Sequence, residues 1–188
     1  MLFSPRIPLY VSRFVFSSVV APHGLTDYLH ASSTRNMKAL VALYTTSCGC
    51  NFILPARLDN IMFLLLSVAH FRHDLGSYDP TLKSIHRWIY SGLVVFCLQG
   101  APFQYDLLTF YMTCIHVPLH YERHIQRVET YKPFLFLWLI LYGATAGATY
   151  ICFETFFNSN EFTANTITLV RGIIMAHILY EEKYVNNK

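Results

Sequence analysis

Charge is what this sequence has least of. Only 13% of its 188 residues are Asp, Glu, Lys or Arg, and 54% are hydrophobic. A soluble domain usually has about 25% charged residues, so this balance, with a mean hydropathy of +0.35, favours a membrane protein. No basic run interleaves with aromatics, and a net charge of +3 is too small to imply a nucleic-acid partner. The five cysteines (Cys48, Cys50, Cys97, Cys114 and Cys152) form no CxxC pair and read as small buried hydrophobes, with Cys48-Gly49-Cys50 only a weak metal or redox signal. No Gly-rich dinucleotide fingerprint is present. Repeats, low-complexity tracts and a second domain are missing as well, so residues 1–188 read as a single domain. The apolar N-terminus leads straight into PHGLTD without a small-residue cleavage site, which argues against a signal peptide.

What is there is a series of apolar runs. A membrane-spanning helix needs about 20 mostly apolar residues, and seven candidates emerge: Ile7–Pro22, Met37–Leu54, Asp59–His70, His86–Gln99, Gln104–Tyr121, Pro133–Glu154 and Thr163–Glu181. The third and fourth are short, which leaves six spans open. Breakers lie between the candidates: Pro55, Gly76 to Pro80, Gly100-Ala101-Pro102, Lys132-Pro133 and Asn158-Ser159-Asn160. With seven spans, one set of loops holds Arg35, Lys38, Arg72, Lys83, Arg87, Arg123, Arg127, Lys132, Lys183 and Lys188, and the other only Arg6 and Arg57. The positive-inside tendency then sets the N-terminus outside and the C-terminus in the cytoplasm. The expected fold is an all-α, multi-pass membrane helix bundle. Arg171, in the middle of the last span, is expected to face the bundle or a wet cavity.

The segment CIHVPLHYERH places histidines at 116, 120 and 124, and three readings compete for them: solvated helix end, structural hydrogen bonds, and metal binding. His116 and His120, at i and i+4, project from one helical face, and Pro118 between them removes a backbone donor and is expected to kink the helix. In the seven-span topology His23, His70, His116, His120 and His177 all lie at the C-terminal ends of parallel helices, in one layer. Singly, each suits a helix terminus; together they favour a metal site inside a bundle. His30, His73 and His124 are expected further out, in loops. HGLTD and HFRHD put Asp27 four residues after His23 and Asp74 four after His70. A ligating imidazole usually gives its other N–H to a carboxylate or carbonyl, so these acids are candidate orienting partners; ordinary solvated loop acids are the alternative.

Pro22-His23-Gly24 with Asp27, then His70-Phe71 with Asp74, then His116-x3-His120, resemble the ordered motifs of the Brp/Blh family. Its members are membrane-embedded, iron-dependent oxygenases that split β-carotene at its central double bond into retinal. The likeness runs from Pro22 to the His177 region. It implies His23, His70, His116 and His120 as Fe(II) ligands and catalytic centre, with His177 of MAHILYEE similar to a histidine of the family's last helix. It also implies a lipid-soluble carotenoid and O2 as substrates, membrane lipid as surroundings, and a retinal product that would serve an opsin-type protein. The chain departs from the family in two ways. Val117, Pro118 and Leu119 stand where the family usually has Ser and Arg between the histidines, and the chain is shorter, chiefly between the second and third motifs.

The chemistry agrees with the residues. Neutral imidazoles suit Fe, Zn and Cu alike. A closed zinc site of four imidazoles would be structural, whereas ferrous iron takes five or six ligands and retains room for dioxygen. Adding both oxygen atoms to product needs no external reductant, in keeping with the missing dinucleotide fingerprint. Phe103, Tyr105, Phe110, Tyr111, Trp138, Tyr142 and Phe153 are available to line an apolar tunnel, but plain packing and interfacial anchoring explain them better, and no substrate residue is assigned. Two other classes stay open. One is a di-iron membrane hydroxylase or desaturase, although no HxxHH pair occurs; the other is a non-enzymatic transporter or scaffold. An opsin is disfavoured because the last span contains no lysine for a retinal Schiff base.

Overall fold

A computed structural model of the chain describes residues 14–100, 104–125, 140–148, 151 and 160–186, and every regular element among them is helical. The path opens with a π-helical turn, π1 (Phe16–Val20), and continues through α1 (Ala21–His23) into α2 (Leu25–Thr34). Gly24 does not break it: its φ of −63° and ψ of −15° are helical. Arg35, in the left-handed region at φ 61°, closes α2 and turns the chain into α3 (Met37–Ile53). Pro55 sets the next boundary, because the residue before a proline is pushed out of the helical region. Leu54 accordingly has ψ 139°, and α4 (Ala56–Tyr78) begins just after the proline. Then come α5 (Ser84–Gly100), α6 (Gln104–Tyr111), a second π turn π2 (Met112–His116), α7 (Val117–Ile125), a helical stretch at 140–148, α8 (Asn160–Tyr180) and a third π turn, π3 (Glu181–Val185).

The all-α architecture stands, but the multi-pass membrane bundle does not. No helix among the described residues is long and apolar enough to cross a membrane. The seven-span (or six-span) topology, its N-outside orientation and the integral-membrane localisation are corrected on that ground. The long helices are too polar. α4 has 23 residues but carries Arg57, Asp59, Arg72 and Asp74, and the 21-residue α8 carries Glu161 and Arg171. The apolar ones, α3 and α5, have 17 residues each, about 25 Å at 1.5 Å per residue, short of a hydrocarbon core of about 30 Å. Boundaries shift too. The helix expected at Asp59–His70 runs Ala56–Tyr78, so His70 and His73 sit inside it, and the path expected to stop at Pro22 carries on to Thr34, taking His30 with it. Most of Pro133–Glu154 and the start of Ile7–Pro22 lie outside the described residues, as do Phe103, Trp138 and Phe153.

Two small apolar clusters flank a polar centre. Ala31, Leu40, Tyr180 and Val185 gather Tyr28, Met37 and Tyr44 on one side; Phe71, Val95, Leu98 and Tyr111 gather Leu64, Val68 and Ile115 on the other. Between them His23, His70, His116, His120, Asp27, Asp74 and Glu181 are all buried, while Phe52, Ile53, Leu65 and Phe96 are exposed. α8 packs along α3, and α4 along α5. Arg171 on α8 reaches α4, where Asp59 Oδ2 lies 3.0 Å away and Asn60 Oδ1 2.6 Å. The expected inward-facing arginine thus has an acid partner, and Glu154 lies outside the described residues.

At Gly172, α8 comes close to α3. A Cβ there would sit 2.7 Å from the Cys48 Cα and 3.2 Å from its amide nitrogen, backbone atoms that move only if the helices separate. Gly172→Ala is therefore expected to destabilise the fold by about 1–3 kcal/mol, read by denaturant unfolding. A change within about 0.5 kcal/mol would contradict this packing.

Candidate metal centre

Proline shapes the backbone at two corners of the centre. Pro118 has no N–H, and its ring crowds the carbonyl one turn back. The helix accommodates it with the wide turn π2, closed by the Val117 N–H donating to the Met112 carbonyl. Pro22 stands in the same relation to π1: each proline is the second residue after the turn. Single π turns interrupt helices most often at functional sites. Here they precede His23, on α1, and end at His116, and His120 follows on the inner face of α7. α4 delivers His70 and α8 delivers His177.

These five imidazoles meet. The ring centroid of His23 lies 5.5 Å from that of His116, 5.0 Å from His120 and 4.9 Å from His177. That of His70 lies 4.9 Å from His116 and 5.3 Å from His177. The Nε2 atoms of His70 and His116 face each other at 3.3 Å. One ligand atom from each of His23, His120 and His177 falls within 4.8 Å of the others, and the same holds for His70, His177 and Glu181.

Three buried carboxylates, Asp27, Asp74 and Glu181, each serve an imidazole on another element. Asp27 accepts from His177 Nδ1 at 2.9 Å and from the Tyr44 hydroxyl at 2.9 Å. Asp74 accepts from His116 Nδ1 at 3.0 Å and from the Tyr111 hydroxyl at 2.7 Å. Glu181 Oε1 lies 2.5 Å from His120 Nε2, and its Oε2 3.7 Å from His70 Nδ1. The expected pairings of Asp27 with His23 and of Asp74 with His70 are corrected by this geometry, and so is the solvated-loop alternative: both acids are buried. Residues at i and i+4 stand side by side on one helical face, so acid and imidazole both reach inward to neighbouring helices. His23 gives its Nδ1–H to the Val20 carbonyl instead.

The hydrogen bonds fix the tautomers. With Nδ1–H donated, neutral His23 and His116 hold an Nε2 lone pair toward the centre, and His177 does so once its ring is deprotonated. The Nε2 atoms of His23 and His177 are buried with no hydrogen-bond partner among the described residues. A buried acceptor left unpaired is costly, and a divalent cation would satisfy several at once. The donor set fits Fe(II), and by softness equally Zn or Cu.

Burial keeps two of these rings, His23 and His70, neutral. His23 is held well below the ordinary imidazole range by burial, then by His177, His120 and His116; His70 likewise by burial, then His116. At His177 burial opposes the charge, but Asp27, by charge and hydrogen bond, and Glu181 raise the ring to about 9. Burial in turn pushes Asp27 up, against the smaller pull of His177. Burial and the adjacent carboxylates push the Tyr44 and Tyr111 phenols up, so both stay protonated donors.

The sequence reading missed Glu181, although a signal existed: His177-x3-Glu181 repeats the spacing of His23-x3-Asp27 and His70-x3-Asp74. Tyr44 and Tyr111 carry no local signal for their role. His30, expected in a loop, is buried on α2 with its Nδ1 3.0 Å from the Tyr180 hydroxyl, and His73 on α4 contacts Glu182 at 2.8 Å. The side chain of His124 lies outside the described residues. Cys48 and Cys50 form no pair: two apart on α3, one is half-buried and the other exposed. Of the candidate tunnel aromatics, Phe110 is exposed, Tyr111 belongs to the Asp74 network and the Tyr142 hydroxyl donates to the Ser18 carbonyl. Compared with protein-family models, with curated proteins and with solved structures, the chain matches none.

Asp74→Asn should lower affinity for Co(II) or Fe(II) by about 10–100-fold, the usual effect of removing an orienting carboxylate, measured by equilibrium dialysis. Unchanged affinity would separate Asp74 from ion binding. The pH dependence of the metal-free protein follows from the shifts. His23 and His70, depressed in the fold, are protonated mainly in the unfolded chain as pH drops below the ordinary 6.5, so stability falls with acid. His177, raised to about 9, contributes stability that is lost as pH climbs through that value. Melting temperature is expected to peak between those limits; a steady rise on acidification from about pH 7 to about pH 5 would contradict the neutral rings.

Proposed function

We propose that this chain is an iron-dependent dioxygenase that cleaves the central double bond of β-carotene, or a related carotenoid, to give retinal. The observation that carries the reading is the convergence of His23, His70, His116 and His120, the residues matching the Brp/Blh motifs, around one buried space. Those four would hold the ion, with His177 beside them. Fe(II) bound there would supply dioxygen activation. The reaction balances without a reductant: the C=C bond breaks, and each new carbonyl takes one oxygen atom of O2. The protein's own part is to orient and to exclude water. Asp74 and Asp27 hold the Nδ1–H of His116 and His177, and the Val20 carbonyl that of His23, so that Nε2 faces inward.

One observation favours a second reading, a two-iron hydroxylase or desaturase. The donors fall into two overlapping groups that share His177, and one group includes a carboxylate. Metal content separates them: about one ion per chain suits the dioxygenase, about two the di-iron enzyme.

Expression in a β-carotene-accumulating host is the direct test. Loss of orange colour with retinal accumulation is expected, and it should vanish in His116→Ala and His120→Ala. Lasting colour without retinal, despite folded protein and iron supply, overturns the cleavage reading.

A further inference from the structure

We propose that Glu181 is itself a metal ligand of this centre, making the donor set imidazoles plus one carboxylate rather than histidine alone. The inference rests on the metal-binding part of the reading above and goes beyond the histidines that the motifs single out. Glu181 opens π3, one turn after His177. The i, i+4 spacing puts both side chains on one face, as in helical HExxH metal sites. The carboxylate is 1% exposed.

Two geometric facts point to coordination. A Glu181 oxygen and one nitrogen each of His70 and His177 lie within 4.8 Å of one another. Atoms held about 2.1 Å from one ion are about 3–4 Å apart, so small side-chain movements close the set. The carboxylate also stands between the two donor groups, with Oε1 toward His120 at 2.5 Å and Oε2 toward His70 at 3.7 Å. A buried anion is expensive unless a positive charge or hydrogen bonds offset it. Asp27 and Asp74 meet that need through imidazole and phenol donors. Glu181 takes a hydrogen bond from His120 at 2.5 Å, and a dication bound among the same rings would offset its charge further. A hard oxygen donor also shifts preference toward Fe(II) and away from Cu(I).

The test is anaerobic Co(II) titration of the full-length chain, reading affinity and the d–d absorption bands, for wild type, Glu181→Gln, Glu181→Asp and the neighbouring Glu182→Gln. Co(II) is expected to bind wild type and Glu182→Gln alike. Glu181→Gln should lose about 100-fold in affinity or more, with shifted d–d bands. Glu181→Asp, one methylene shorter, should bind more weakly with its own band shift, and it decides the matter if the glutamine variant fails to fold by circular dichroism. Wild-type bands in either folded Glu181 variant, whatever its affinity, overturn the proposal, because Glu181 then acts only by holding His120. If the Co(II) results hold but carotenoid is not cleaved, the reaction assignment fails and the ligand assignment stands. If wild type takes up no Co(II), both fail.

Discussion

Three buried carboxylates, each matched to an imidazole on a different helix, tie this structure together. Asp27 joins α2 to α8, Asp74 joins α4 to π2, and Glu181 joins π3 to α7. An ion removed from water without a partner costs several kcal/mol, so sliding one helix past another by a turn would strand an acid. The apolar clusters on either side are small and accommodate shifts more readily. Helix register is therefore set mainly by polar pairs.

The same bonds that satisfy the acids choose the tautomers. A carboxylate or carbonyl on Nδ1 fixes the ring and turns Nε2 away from it, as in His23, His116 and His177. Tyr44 and Tyr111 each occupy a further position on Asp27 and Asp74, giving two Tyr–Asp–His chains of like construction from separate helices. Such chains hold ring planes as well as protons. The fold thus holds the ring nitrogens of several helices in fixed orientations within one buried layer.

Much of this could be read from local spacing, and what could not is non-local. His116-x3-His120 gave a shared face, and Pro118 gave the disturbed helix that became π2. The histidines of three other segments were picked out by order and depth, although the depth argument used a membrane topology that the helix lengths do not support. Hydropathy totals count apolar side chains without asking how long or how charged their helix is. Arg57, Asp59, Arg72 and Asp74 on α4 were visible, but the span was drawn from Asp59 to His70 and left most of them out. The acid pairings were misassigned because spacing along one helix shows which groups share a face and not which neighbour that face meets. Tyr44 contacts Asp27 across the α2–α3 turn, and nothing in either segment announces it.

The geometry also bears on Val117, Pro118 and Leu119, which stand where the Brp/Blh motif that the sequence resembles usually has Ser and Arg. Val117 is buried beside the centre and Pro118 is exposed. None of the three needs to orient His116 or His120, because Asp74 and Glu181 do so from other helices. A guanidinium still approaches this layer: Arg123, one turn beyond Leu119, lies 3.6 Å from Asp74 Oδ1. Polar support for these rings comes from neighbouring elements, and the wide turn π2 ends at His116, just before Val117 and Pro118. The imidazoles are thus held without polar residues between them.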